Sequence, residues 1–212
     1  LIAIPLFILA GAIMNASGIS RRLINLASAL VGFIRGGLAM VTVSASLFFA
    51  EMSGSAVADV AALGSILIPA MKRRGYPTPF AAAVTSSSAT LAVIIPPSIP
   101  MILYGVMSGS SVVELFVAGI IPGAMMVGGM MLGAFVICTK NGWGHLIRLE
   151  IARVLKTGIG AWLGFFAIGL VLWGIYTGKF SPTEAAAVTV GFCVIVGVLS
   201  RWLFPLVASG MD

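Results

Sequence analysis

The sequence predicts an all-α integral membrane protein, a polytopic helical bundle with one re-entrant helical hairpin and one broken helix. Three observations carry that prediction. Hydrophobic residues fill 60% of the 212 positions and charged residues only 8%, with a mean hydropathy of +1.16; a soluble domain carries about 25% charged residues. Long apolar runs recur along the chain, separated by short polar or basic segments. Two of those runs are interrupted, at Met52–Ser55 and from Thr85 to Pro97, by stretches rich in hydroxyls, glycine and proline. Backbone groups freed at such breaks are costly in lipid unless protein, water or an ion satisfies them. Broken helices at membrane depth are therefore tolerated where they line a cavity or a site. The same composition excludes disordered, collagen-like and disulfide-rich classes.

In chain order, Leu1–Met14 is apolar but shorter than the roughly 20 residues that cross a bilayer. It reads as the remainder of a longer segment or one arm of a bent helix, in a chain that is itself read as a piece of a longer membrane protein. Ser20–Arg35 carries Leu23, Leu26, Ala27, Leu30, Val31 and Ile34 at three- and four-residue steps, bracketed by arginines. That pattern predicts an amphipathic helix lying along the membrane interface, which closes a first unit over 1–35.

Residues 36–107 form the second predicted unit. Gly36–Ala50 stops at Glu51–Ser55 and resumes as Ala56–Met71. Each arm of about fifteen residues rises only about 22 Å, and one straight helix would bury Glu51, Ser53, Ser55 and Asp59 in lipid. A re-entrant hairpin over 36–71 with its tip at Ser53-Gly54-Ser55 removes both difficulties. After the turn Gly75–Pro79, Phe80–Val93 enters the membrane, breaks around Ile94–Pro100 and continues through Met101–Met107, a broken helix over 80–107. Pro96 and Pro97 each remove a backbone donor and disfavour helix just upstream. A third unit, 108–157, holds the crossing Val112–Thr139 and a basic linker; the last, 158–212, holds two more crossings, Gly158–Thr177 and Ala185–Leu203.

The net charge of +6 would suggest nucleic acid for a soluble protein, but here topology explains it. With the hairpin drawn, Arg21, Arg22, Arg35, Lys72, Arg73, Arg74, Lys140, Arg148, Arg153, Lys156 and Arg201 fall on one side and only Lys179 on the other. The basic side is expected to be cytoplasmic, and no nucleic-acid partner is expected. Cys138 and Cys193 sit in apolar runs as packing residues, and His145 sits in the basic linker. No nucleophile pair, P-loop or zinc spacing occurs, so neither an enzyme nor a bound cofactor is expected.

The hydroxyls, free carbonyls and carboxylate at Ser53, Gly54, Ser55 and Asp59 are oxygen ligands of the kind a hard cation such as sodium takes. The alternative is a small-residue packing motif, although an intramembrane carboxylate is usually functional. Ser86, Ser87, Ser88 and Thr90 admit the same two readings: a site, or hydroxyls bonding carbonyls one turn back. The break at Pro96-Pro97-Ser98 favours a site, because two neighbouring discontinuous helices are a pointer to binding.

The stretches SGSAVADVAALGSILIPAMKRRGY, SSSATLAVIIPPSIPMILYG and SPTEAAA, with the opening LIAIPLFILAGAIMNASGISRRL, resemble the large membrane subunit of TRAP transporters (tripartite ATP-independent periplasmic transporters) over essentially the whole chain. The resemblance implies half of an inverted-repeat, elevator-type transporter of the bacterial inner membrane. Its members use a sodium gradient to import organic acids, often carboxylates, delivered by a periplasmic binding protein. A small membrane subunit accompanies the large one. Carried over, it assigns sodium as the coupling ion to Ser53, Gly54, Ser55, Ser86, Ser87, Ile95 and Pro96. It assigns substrate to Ser55, Asp59, Ser88, Thr90, Pro97 and Ser98. Pro182-Thr183-Glu184 would begin the second repeat, whose hairpin and broken helix are absent here. An ion or solute channel and a structural membrane subunit are the alternative functions.

Overall fold

A computed structural model describes residues 2–144 and 151–203. Leu1, His145 and Arg148 lie outside the described residues, as do the side chains of Arg153, Lys156 and Arg201. Among the described residues every regular element is helical. α1 (Ala3–Ala16) turns by 76° into α2 (Ile19–Val31). The helix expected over Ser20–Arg35 thus stops four residues early. Gly32, Gly36 and Gly37 follow Val31 closely, and each costs about 1 kcal/mol of helix propensity relative to alanine. α2 is also more enclosed than a purely interfacial helix: Leu23 and Leu26 pack toward α8, and Ile24 and Ala27 toward α3.

α3 (Gly37–Ser53) and α4 (Ala56–Arg73) run antiparallel. Val41, Ala45 and Phe49 share a core with Leu63 and Leu67, and the Thr42 hydroxyl reaches Met71 Sδ at 3.7 Å. α3 continues through Glu51–Ser53, so the break is confined to Gly54 and Ser55 and is narrower than the expected Glu51–Ser55. α5 (Thr78–Ala89) follows, then a 3-10 turn over Thr90–Val93 and irregular chain to Ser98. α6 (Ile99–Ser108) completes this second discontinuous element. Thr85–Ser88 was expected to break helix and does not. Thr85 donates to the Ala81 carbonyl at 2.8 Å and Ser86 to Ala83 at 3.1 Å, so these hydroxyls bond back onto the helix instead of competing with it.

α7 (Val112–Asn141), α8 (Ile151–Tyr176) and α9 (Pro182–Leu203) complete the bundle. Val112–Asn141 and Thr157–Tyr176 are long and apolar enough to cross a membrane; Gly37–Glu51, Ile99–Ser108 and Pro182–Val198 are apolar but shorter. Two clusters tie α1 to the rest, Phe7 with Phe116, Ile175 and Ala185, and Met14 with Leu23 and Cys193. Both cysteines are unpaired and buried.

α7 serves as a ruler for the hairpin. A Cβ on Gly36, before α3, would lie 2.8 Å from Cys138 Cβ, and one on Gly144 would run into the Tyr76 hydroxyl and the Gly36 Cα. Both ends of the hairpin therefore sit at the C-terminal end of α7. Its tip lies beside the Ile94–Ser98 break, which packs on Gly119 and Gly123. Gly119 is seven residues into α7, about 10 Å from its start, so the hairpin stops short of the opposite end.

Candidate functional site

The two breaks meet. Gly54 ends α3 at φ 58, a left-handed conformation that glycine adopts without steric cost. Its carbonyl accepts a hydrogen bond from the Ile99 amide at 3.3 Å. A Cβ added to Gly54 would stand 2.5 Å from the Pro97 carbonyl oxygen. Backbone thus lies directly on backbone, an approach that only glycine permits.

Ser55 caps α4, its hydroxyl accepting from the Ala58 amide at 3.4 Å. Ser98 caps α6, accepting from Met101 at 3.4 Å while donating to the Val93 carbonyl across the break at 2.6 Å. The N-termini of α4 and α6 and the C-terminus of α3 therefore converge on one place. Helix N-termini favour negative charge and C-termini positive charge, so the junction offers complementary poles.

Asp59 lies one turn into α4 with 1% of its surface exposed. Its Oδ1 accepts from the Ser53 hydroxyl at 2.5 Å, and Ser53 Oγ also accepts from the Ser55 amide at 3.2 Å. Oδ2 is buried with no partner among the described residues. An unpartnered buried carboxylate oxygen is expensive, and a cation is one group that would complete it. No cluster of three His, Cys, Asp or Glu occurs among the described residues. The donors here are hydroxyls, carbonyls and one carboxylate, which suit a hard cation.

The other predicted residues separate into two groups. Pro96, Pro97 and Ser98 are buried at the break, as is Ile95, whose side chain packs on Gly123. Ser86 and Ser87 lie instead on the exposed face of α5, and Thr90 is exposed in the 3-10 turn that follows. Ser88 is fully buried against Ser46, their hydroxyls 2.8 Å apart. Ser46 is eight residues before Gly54, about 12 Å along α3. At Ser88 the observed geometry is that of interhelical packing.

Sequence reasoning missed Ser46 and the outlook of Glu51. Ser46 follows Thr42 by one turn, so a hydroxyl stripe on α3 was available as a signal. Glu51 borders a cleft with Phe7, Met14, Val171 and Thr189, facing α1, α8 and α9 and not the tip. At the far end, Ser181 and Glu184 form a capping box at α9. The Glu184 carboxylate accepts from the Ser181 amide at 2.8 Å and hydroxyl at 2.9 Å, and those bonds hold its pKa below the ordinary value.

Two helices long and apolar enough to cross a membrane, together with two docked helix breaks, mark a membrane protein. The chain belongs to the family described as "Tripartite ATP-independent periplasmic transporter, DctM component", whose match covers residues 1–208. It is 41% identical over 198 residues to the C4-dicarboxylate TRAP transporter large permease protein DctM of Pseudomonas aeruginosa, covering 93% of this chain and 46% of that one. It is 39% identical over 199 residues to the sialic acid TRAP transporter large permease protein SiaM of Vibrio cholerae, covering 94% and 47%. It is 42% identical over 208 residues to the 2,3-diketo-L-gulonate TRAP transporter large permease protein YiaN of Escherichia coli, again covering 94% and 47%. The chain thus spans about half the length of these relatives. The family is one of permeases, not enzymes.

Proposed function

We propose that this chain forms the first half of a sodium-coupled permease that imports organic acids across the bacterial inner membrane. The observation that carries the reading is the junction of Gly54 with Pro97–Ile99, beside a buried Asp59 whose second carboxylate oxygen lacks a partner. In this reading α3 and α4 are the arms of a re-entrant hairpin. Their shared base at one end of α7, and a tip short of its other end, support that depth.

Ser53 and Asp59, with carbonyls at the C-terminal end of α3, would hold the coupling cation, whose charge balances the carboxylate. Asp59 then serves substrate only indirectly, since a bare carboxylate repels an organic anion. Ser55 and Ser98 orient the N-termini of α4 and α6, whose amides suit a substrate carboxylate. The hydroxyls of Ser86, Ser87 and Thr90 are exposed and would face the rest of a longer chain. The relatives' named substrates, C4-dicarboxylates, sialic acid and 2,3-diketo-L-gulonate, are all organic acids, which supports that substrate class. A periplasmic binding protein would deliver the acid, a small membrane subunit would brace the permease, and the hairpin would move with its load in elevator fashion.

A purely structural role is favoured at one place, the Ser46–Ser88 contact, where both hydroxyls are buried in packing. The test is radiolabelled organic-acid uptake into liposomes by the complete parent protein with its small subunit and binding protein. Uptake should require a sodium gradient, fail with an equal potassium gradient, and be lost in Asp59→Asn. Flux indifferent to sodium and to the binding protein would mark a channel instead.

A further inference from the structure

At the end of the bundle where the hairpin begins and ends, cations gather without carboxylate counter-ions among the described residues. The meeting of Gly36, Tyr76, Cys138 and Gly144 brings Arg35, Lys72, Arg73, Arg74 and Lys140 to one end. All five are exposed, and none has a carboxylate partner among the described residues. The described carboxylates lie elsewhere. Glu51 and Asp59 are near the hairpin tip, and Glu114 and Glu184 are in the first turns of α7 and α9 at the opposite end. Beside the cations sits an aromatic layer. Tyr76 stacks on Phe80 with centroids 6.3 Å apart, and Phe80 meets Trp143 at 5.1 Å. Aromatic side chains of this kind mark the headgroup level of a bilayer.

We propose that this cluster is a binding site for the phosphate of an anionic phospholipid headgroup, which clamps the two ends of the hairpin together. The three segments that supply the cations are the start of α3, the end of α4 and the end of α7. Unrelieved, their like charges repel one another where the arms must meet. Arginine guanidinium groups match phosphate oxygens in pairs, and the acyl chains of a lipid would lie along the exposed apolar flank of α7, at Leu132, Phe135 and Val136. A lipid is favoured over a soluble anion because the charged and the apolar surface adjoin. The inference does not depend on sodium coupling.

The test uses the complete parent protein, purified in detergent with its small subunit. Its thermal stability is titrated with phosphatidylglycerol, phosphatidylcholine and inorganic phosphate in parallel. Phosphatidylglycerol should raise the melting temperature saturably, and the other two should not. Each surface cation is worth about fivefold in such attraction, so Lys72→Gln/Arg73→Gln/Arg74→Gln should weaken the apparent affinity roughly a hundredfold. Lys179→Gln, at the opposite end, should leave it unchanged. Equal stabilisation of the wild type by phosphatidylcholine or by inorganic phosphate overturns the proposal, and that comparison requires no variant to fold. A triple variant with wild-type affinity for phosphatidylglycerol overturns it as well.

Discussion

Replacing Gly54 with alanine tests whether docking of the hairpin tip matters, and Gly75 supplies the matched control. Both glycines have positive φ, 58 and 83, so alanine at either costs about 1–2 kcal/mol from the left-handed backbone alone. They differ in surroundings. A Cβ at Gly75 meets nothing within 4 Å, whereas at Gly54 it stands 2.5 Å from the Pro97 carbonyl oxygen and 3.3 Å from the Ile99 amide. The clash is with backbone on both counts, so the tip must withdraw. Withdrawal gives up the Ile99-to-Gly54 hydrogen bond, worth about 0.5–1.5 kcal/mol. Gly54→Ala should therefore cost about 1.5–3.5 kcal/mol, which is about 0.5–1.5 kcal/mol more than Gly75→Ala. At about 2 °C per kcal/mol for a large domain, the melting temperature should fall by about 5 °C, and sodium-driven uptake should fall with it. Gly75→Ala should transport normally. Equal melting shifts in the two variants, with uptake intact in both, would refute the docking argument.

Ser46→Ala and Ser88→Ala should each lower stability by about 1 kcal/mol. A double-mutant cycle should return a coupling of similar size between them, and sodium dependence of uptake should be unchanged in both. Glu51→Gln should leave the melting temperature unchanged or raise it by a few degrees, because the carboxyl borders a largely apolar cleft with no hydrogen-bond or cationic partner among the described residues; a marked loss of stability would contradict that. Because its folded pKa is lowered, Glu184 stabilises the start of α9 above its unfolded pKa. That contribution is lost as pH falls through the lowered folded value. The stability difference between wild type and Glu184→Ala should therefore narrow as pH falls, as acid melting curves would show.

Much of this arrangement was legible because lipid makes polar residues conspicuous. Asp59, Gly54 and the proline pair stood out in an apolar background, and each break follows from local chemistry: a left-handed glycine in one case, missing amides in the other. The serine triplet misled for an equally physical reason. Serine and threonine break helices when their hydroxyls compete for the backbone, but Thr85, Ser86 and Ser88 satisfy themselves one turn back and stay helical. Whether such a residue breaks or merely decorates a helix depends on neighbours distant in sequence, here Ser46 on α3. The end of α2 was overrun because its apolar rhythm continues to Ile34 while the backbone already stops at the glycines. Glu51 was visible as a charge, but its outlook toward α1, α8 and α9 depends on packing that no local pattern encodes.

Sodium binding itself is the most direct measurement. The melting temperature of the complete parent protein is followed against sodium chloride and against potassium chloride at matched ionic strength, in wild type and in Asp59→Asn. Sodium should raise the wild-type value saturably where potassium does not, and the response should vanish or weaken at least tenfold in Asp59→Asn. A sodium shift that survives Asp59→Asn undiminished would contradict the assignment of the cation to the hairpin tip.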